Sequence, residues 1–208
     1  MLSLVVVGCD TGDGKTLRPV DPDTTTTSTV PATVDTAALP SLPLEDAGLG
    51  SAPPVADSGL QLYAPWQEGS PIDARYTCDG EDLSPALSWA APPPGTVELA
   101  IALVDDSVAP EGNPFVHWVI AGIDPAGISL VEGEVPAGAL QATNSLGNVG
   151  WDGPCPPSGD PAHTYRLTMY ALNQQSELAD GTPADEMIGY LEAITIGSTD
   201  LTGTFQRL

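Results

Sequence analysis

His163-Thr-Tyr-Arg-Leu-Thr-Met-Tyr-Ala-Leu172 alternates. Tyr165, Leu167 and Met169 fall on one face of an extended chain, and Thr164, Arg166 and Thr168 fall on the other. A period of two marks a strand with one buried face. Upstream, Val97-Glu-Leu-Ala-Ile-Ala-Leu-Val-Asp105 is an apolar run bounded by Pro94-Gly-Thr96 before and Asp106-Ser107 after. Phe115-Val-His-Trp-Val-Ile-Ala-Gly122 is rich in β-branched and aromatic residues, and Leu201-Thr-Gly-Thr-Phe-Gln206 reads as a short closing strand. Pro/Gly turns separate these segments. One stretch has helical spacing instead: Pro183 in a first turn after Thr182, then Ala184, Met187, Ile188, Leu191 and Ile194. The expected fold is therefore mainly β and mostly antiparallel, about 150 residues long, with a helix near the C-terminus.

Composition agrees with this reading. The chain has 208 residues with 22 Gly and 22 Pro, too many for a helical bundle. Its mean hydropathy is +0.02, and no stretch of eighteen apolar residues occurs, so nothing in the sequence is a membrane-spanning helix. Twenty-eight acidic residues against five basic ones give a formal charge of −23 and a pI near 4.1. A field of that sign repels nucleic-acid phosphates and anionic lipid surfaces, and both are excluded as general partners. An anion can be held only by local donors working against that field. The same excess of charge suits a surrounding of high ionic strength.

The texture changes near residue 60. Residues 10–59 contain seven Pro, nine Thr and no aromatic residue, centred on Asp23-Thr-Thr-Thr-Thr-Ser-Thr29. Such a segment cannot bury enough apolar surface to offset its ordering entropy, and we expect a disordered acidic linker. Before it, residues 1–9 end in Val6-Val7-Gly8-Cys9, the shape of a bacterial lipobox in which Cys9 would receive the lipid. No Lys or Arg precedes Cys9, so as a signal it is a remnant whose true start lies upstream, or else a chance match. The expected location is extracytoplasmic, as a cell-surface or periplasmic lipoprotein that meets membrane only through this anchor. With Cys9 set aside, Cys78 and Cys155 remain as a pair. An oxidising compartment permits a disulfide between them, and the alternative is two thiols that never pair.

The two histidines, His117 and His163, both sit beside Pro/Gly turns at strand positions. Taken alone, each reads more readily as a core or edge residue than as a functional one. At these residues, however, the sequence resembles the phosphatidylethanolamine-binding protein family, also called Raf kinase inhibitor proteins, and within it the bacterial YbhB/YbcL branch. The carriers are YTCDGEDLSPALSW (76–89), PPGT (93–96), VDDSVAP (104–110), His117-Trp118, GPCPPSG (153–159), His163 with Tyr165, and LTGTFQR (201–207). The resemblance covers residues 60–208. It implies antiparallel sheets of Greek-key sandwich type with short peripheral helices, and a small pocket at one end that takes phosphate or a phosphorylated headgroup.

Carried over by position, that pocket would use Asp106, His117, His163 and Tyr165, with walls from Ala109, Pro110, Phe115, Pro156 and Pro157. The N–H groups of Gly153 and Cys155 would add an anion nest. Two imidazoles and a phenol would donate to phosphate oxygens, so affinity would rise as pH falls through about 6–7. Val108 stands where the family has a second carboxylate, which favours phosphate over ammonium recognition. Arg166 is displaced by one residue from the family's arginine, so a structural ion pair is expected to be lost.

The resemblance implies binding without catalysis, and neither a cofactor nor a metal is expected. Three other readings stay open. One is regulation of a kinase or protease through surface contacts with a protein partner that the sequence does not name. Another is a hydrolase using His117, His163 and Asp106, although no Gly-x-Ser-x-Gly elbow is present. The third is a metal site built from two His, Asp106 and a cysteine, whose spacing fits no zinc signature.

Overall fold

The computed structural model describes residues 59–108 and 113–208, all within one compact unit. The Cys9 motif, the Thr/Pro-rich linker, Ala109 and Pro110 lie outside the described residues. Nine strands and one α-helix follow in chain order: β1 (Gln61–Tyr63), β2 (Ser70–Pro71), β3 (Leu87–Ala90), β4 (Glu98–Asp105), β5 (Phe115–Ile123), β6 (Ser129–Leu130), β7 (Leu140–Gln141), β8 (His163–Leu172), α1 (Ala184–Ala193) and β9 (Thr195–Phe205). A single 3-10 turn, Ala74–Tyr76, is capped by the Asp73 carboxylate, which accepts from the N–H of Arg75.

The strands form a six-stranded sheet, β2-β9-β8-β4-β5-β7, and a three-stranded sheet, β1-β3-β6. Every pairing is antiparallel except β2 with β9, which is parallel. The mainly antiparallel β fold with one helix near the C-terminus is therefore present, with one parallel edge.

β4 lies at the centre and is buried along its whole length. Its alternate residues serve two cores. Leu99, Ile101 and Leu103 join Trp118 and Ile120 of β5 and Tyr165, Leu167 and Met169 of β8 on the face that meets Leu62, Leu87 and Trp89 of the small sheet. Ala100 and Ala102 turn the other way, where their small side chains admit Ala184, Met187 and Leu191 of α1. Those three helix positions follow the 3.6-residue period, and the Ala184 N–H is satisfied by the Thr143 carbonyl at 2.9 Å. Burying a Leu or Met side chain of this kind stabilises by about 1.5–3 kcal/mol.

Two boundaries differ from the sequence reading. Pro183 is the N-cap rather than a first-turn residue, and Ile194 follows the helix as its C-cap. β9 begins at Thr195, not Leu201, and pairs with β8 from Thr195 opposite Leu172 to Phe205 opposite His163. Thr195–Asp200 carries no apolar alternation, because β9 lies toward the sheet margin with several half-exposed residues.

Candidate functional site

Three strand ends converge at one edge of the large sheet. Asp105, the last residue of β4, pairs with Phe115 at the start of β5 and with Tyr165 near the start of β8. His163 opens β8. Within β5 the register slips between Leu103/Trp118 and Val104/Val116, leaving His117 as the extra, unopposed residue. Such a bulge re-aims a side chain. Here it sets the His117 ring edge-on to Tyr165, with centroids 5.4 Å apart, and 5.1 Å from Phe115. The His163 ring stacks with Tyr165, centroids 6.4 Å apart.

A cavity of about 230 Å³ opens between them, lined by Asp105, Val108, Phe115, His117, Leu146, Cys155, Pro156, Pro157 and His163. Each imidazole is held through Nδ1. His163 Nδ1 donates to Asp105 Oδ2 at 2.7 Å, both groups being buried, while Asp105 Oδ1 accepts from the Ser107 N–H at 2.8 Å. His117 Nδ1 lies 2.9 Å from the Asp152 carbonyl, which can only accept. Nδ1 therefore carries the proton in that contact, and the Gly153 backbone is a second hydrogen-bonding neighbour of the ring. Burial pushes the His117 imidazole below its ordinary range, against the opposing pull of the Asp152 carbonyl and the Asp105 charge. The Tyr165 hydroxyl is buried without a hydrogen-bond partner of good geometry. Burial first, then the Asp105 charge, raises its pKa far above that of a free phenol.

The wall opposite the strands is irregular chain fastened from several sides. Cys78 and Cys155 form a disulfide with Cα atoms 5.4 Å apart. The Cys78 N–H donates to the Pro154 carbonyl at 3.3 Å. Gly153 passes so close to the 76–77 backbone that a Cβ there would lie 2.2 Å from the Tyr76 oxygen, so only glycine fits. Asn144 organises the neighbouring loop. Its Nδ2 donates to the Gly150 carbonyl at 3.1 Å and to Asp152 Oδ2 at 2.6 Å, while its Oδ1 accepts from the N–H groups of Leu146 and Asn148. One buried amide thus holds both the Leu146 rim and the segment that carries the His117 acceptor.

The structure brings together His117, His163, Phe115, Cys155, Pro156 and Pro157 around the cavity, with Tyr165 behind the two imidazoles. It does not bring in Asp106. That carboxylate takes two hydrogen bonds from Arg166, each 3.0 Å, on the other side of the strands, and Asp105 faces the cavity instead. Asp106 lies in the turn just past the strand end, its N–H held by the Thr164 carbonyl at 2.9 Å, and its side chain goes to Arg166. The same contact corrects the expected loss of an ion pair, since displaced Arg166 finds Asp106. Gly153 is not available to an anion: its N–H donates to Asp82 Oδ1 at 2.8 Å. Ala109 and Pro110 lie outside the described residues. Sequence reasoning named Val108 only as a departure from the family, and it passed over Asp105, Leu146 and the positioning residue Asn144. Only Asp105 had a signal, in its place as the last residue of an apolar strand.

A two-sheet β protein with an imidazole–carboxylate pocket at the strand ends is thus defined by its own geometry. The family model described as phosphatidylethanolamine-binding protein matches residues 64–206. A UPF0098 protein of Mycobacterium bovis is 38% identical over 165 residues, covering 77% of this chain and 78% of the relative. A Mycobacterium tuberculosis relative that bears the lipoprotein name LppC is 36% identical over 155 residues, covering 74% of this chain and 76% of its own. The crystal structure of Escherichia coli YbcL superposes with a TM-score of 0.66 at 26% identity, covering 72% of this chain and 99% of that one. The chain belongs to the phosphatidylethanolamine-binding protein family, in its YbcL-like branch.

Proposed function

We propose that this protein is an extracytoplasmic, lipid-anchored domain that binds a small phosphate-bearing anion in the cavity between His117, His163 and Asp105, without catalysis. The observation that carries the reading is the cavity itself. It is about 230 Å³ in size, its walls are largely apolar, and two imidazoles border it, with the Asp160 carboxylate 4.0 Å from His163 Nε2. Apolar walls raise the worth of the few polar contacts inside, because water is excluded from them. The Asp105 carboxylate at Nδ1 compensates a positive charge on the His163 ring, which suits that ring to donate through Nε2 when charged. Both Nδ1 atoms are committed to Asp152 and Asp105, and no hydroxyl or thiol among the described residues hydrogen-bonds to either ring, which favours binding over nucleophilic catalysis. The anchor is supported by Val6-Val7-Gly8-Cys9 and by the lipoprotein name of one relative.

The test is an NMR titration of the full chain with inorganic phosphate, following both imidazoles. Joint shifts that saturate at millimolar phosphate or below are the expected result. Silence from both rings in a folded sample would remove the anion pocket.

A further inference from the structure

The disulfide stands in the cavity wall itself. Cys155 lines the cavity and is exposed, and its partner Cys78, just past the 3-10 turn, is half-buried. The wall is anchored by hydrogen bonds at its two ends. At one end the Gly153 N–H donates to Asp82 Oδ1, and the Pro154 carbonyl accepts from the Cys78 N–H. At the other, the Gly159 N–H donates to the Arg207 carbonyl at 3.0 Å, and Gln206 Nε2 donates to the Asp160 carbonyl at 2.9 Å. Arg207 is in turn paired with Asp79, beside Cys78. Between the ends, Pro156 and Pro157 have no N–H to give. The Asp160 N–H bonds to the Pro157 carbonyl, which closes a turn within the wall. Among the described residues, 155–158 is bonded to the rest of the fold through the disulfide and the Cys155 N–H, which faces the Tyr165 hydroxyl. Neither cysteine belongs to a strand, to α1 or to an apolar core, so those parts do not depend on the bond.

We infer that the disulfide is a redox gate on the cavity: the oxidised wall is set for binding, and reduction frees it while the sheets stay folded. The inference rests on the anion-pocket reading and adds its regulation. A freed wall must be ordered again at each binding event, a cost the cross-link removes in advance. The same wall ends in Asp160, whose carboxylate lies 4.0 Å from His163 Nε2, so its release also changes the charge facing that ring. The reductant is a dithiol. One of its thiolates attacks the exposed Cys155 Sγ, the S–S bond breaks, and Cys78 leaves as a thiolate that takes up a proton. The second thiol then gives up its proton and displaces Cys155 from the mixed disulfide. Both cysteines end as thiols, and the dithiol ends as its own disulfide.

The experiment is NMR titration of the full chain with inorganic phosphate, oxidised and then reduced with dithiothreitol, beside a Cys78→Ser/Cys155→Ser double variant. Amide hydrogen exchange is followed in the same samples. The reduced chain and the double variant are expected to stay folded and to bind phosphate at least ~10-fold more weakly, roughly the cost of ordering one residue's backbone. Exchange should quicken at the Cys155, Ser158 and Gly159 amides while β4 and β8 stay protected, and reoxidation should restore affinity. Oxidised Leu191→Ala, destabilised far from the cavity, should bind as the wild type does; an equal loss there would overturn the gate in favour of general loosening. Reduced protein that binds within about twofold of oxidised protein overturns the inference and leaves the anion pocket standing. Reduced protein that is unfolded throughout also overturns it, because the bond is then a staple of the whole fold. If the oxidised chain binds no phosphate, both readings fall.

Discussion

The His117 imidazole is 3% exposed and held neutral by burial, so it couples folding to pH. Its folded pKa is depressed, while the unfolded chain titrates near ~6.5. Above that value neither state takes a proton there, and the residue is neutral in the balance. Below it the unfolded chain binds a proton that the folded one refuses, so stability falls with pH down to the folded pKa. We expect the stability advantage of the wild type over His117→Gln, measured by urea unfolding, to shrink between pH 7 and pH 5. An advantage unchanged over that range would mean that the ring titrates normally in the fold. The neighbouring aspartates make a second contrast. Asp105→Ala strips the partner from a buried imidazole and is expected to cost about 3 kcal/mol and to abolish the phosphate-induced shift of His163. Asp106→Ala breaks an ion pair about one-third exposed on each side and should cost less than about 1 kcal/mol, with phosphate binding intact. The local pattern told the strand from the turn at Asp105-Asp106 but not which carboxylate turns inward, because that depends on the phase of pairing with β8.

At the scale of elements, two short features decide the pocket: the bulge at His117 and the glycine at 153. Leu191→Ala on α1 leaves a void against Ala100 and Ala102 and is expected to cost about 3 kcal/mol without affecting phosphate binding. Gly153→Ala is expected to do the opposite kind of damage. Its Cβ meets backbone rather than a yielding side chain, so the Cys155–Pro157 wall must shift and phosphate affinity should fall by more than the loss of stability accounts for. Thermal unfolding and NMR titration of the two variants would separate these outcomes. β4, β5, β8 and α1 were legible because each is long enough to show a period. β1, β2, β3, β6 and β7 run only two to four residues, too short for any period, and exist because a neighbouring strand pairs with them.

Across the whole molecule, charge and one covalent link dominate. Residues 59–208 contain twenty carboxylates and three arginines, and each arginine is already paired. Self-repulsion is therefore expected to outweigh the paired contacts. The unfolding temperature should rise as salt increases from about 0.01 to about 1 M, over which the screening length shrinks from about 30 to about 3 Å. A fall would mean that the ion pairs matter more than the net field. The Cys78–Cys155 bond spans a sequence separation of 77 residues, a closure worth on the order of 4 kcal/mol in the chain-entropy account. Reduction should lower the denaturation midpoint accordingly and loosen the wall that carries Pro156 and Pro157.

Strand and helix identity, the reduction of three cysteines to one candidate pair once Cys9 is set aside, and the strongly acidic balance could all be read from the chain alone. Each depends on residue type and local spacing. Which aspartate faces the cavity, how His117 comes to share a face with Tyr165, and where the Gly153 N–H is spent were decided only by the tertiary structure. A slip of one residue in strand register turns every side chain to the opposite face, and that register is set by the partner strand, not by the strand itself.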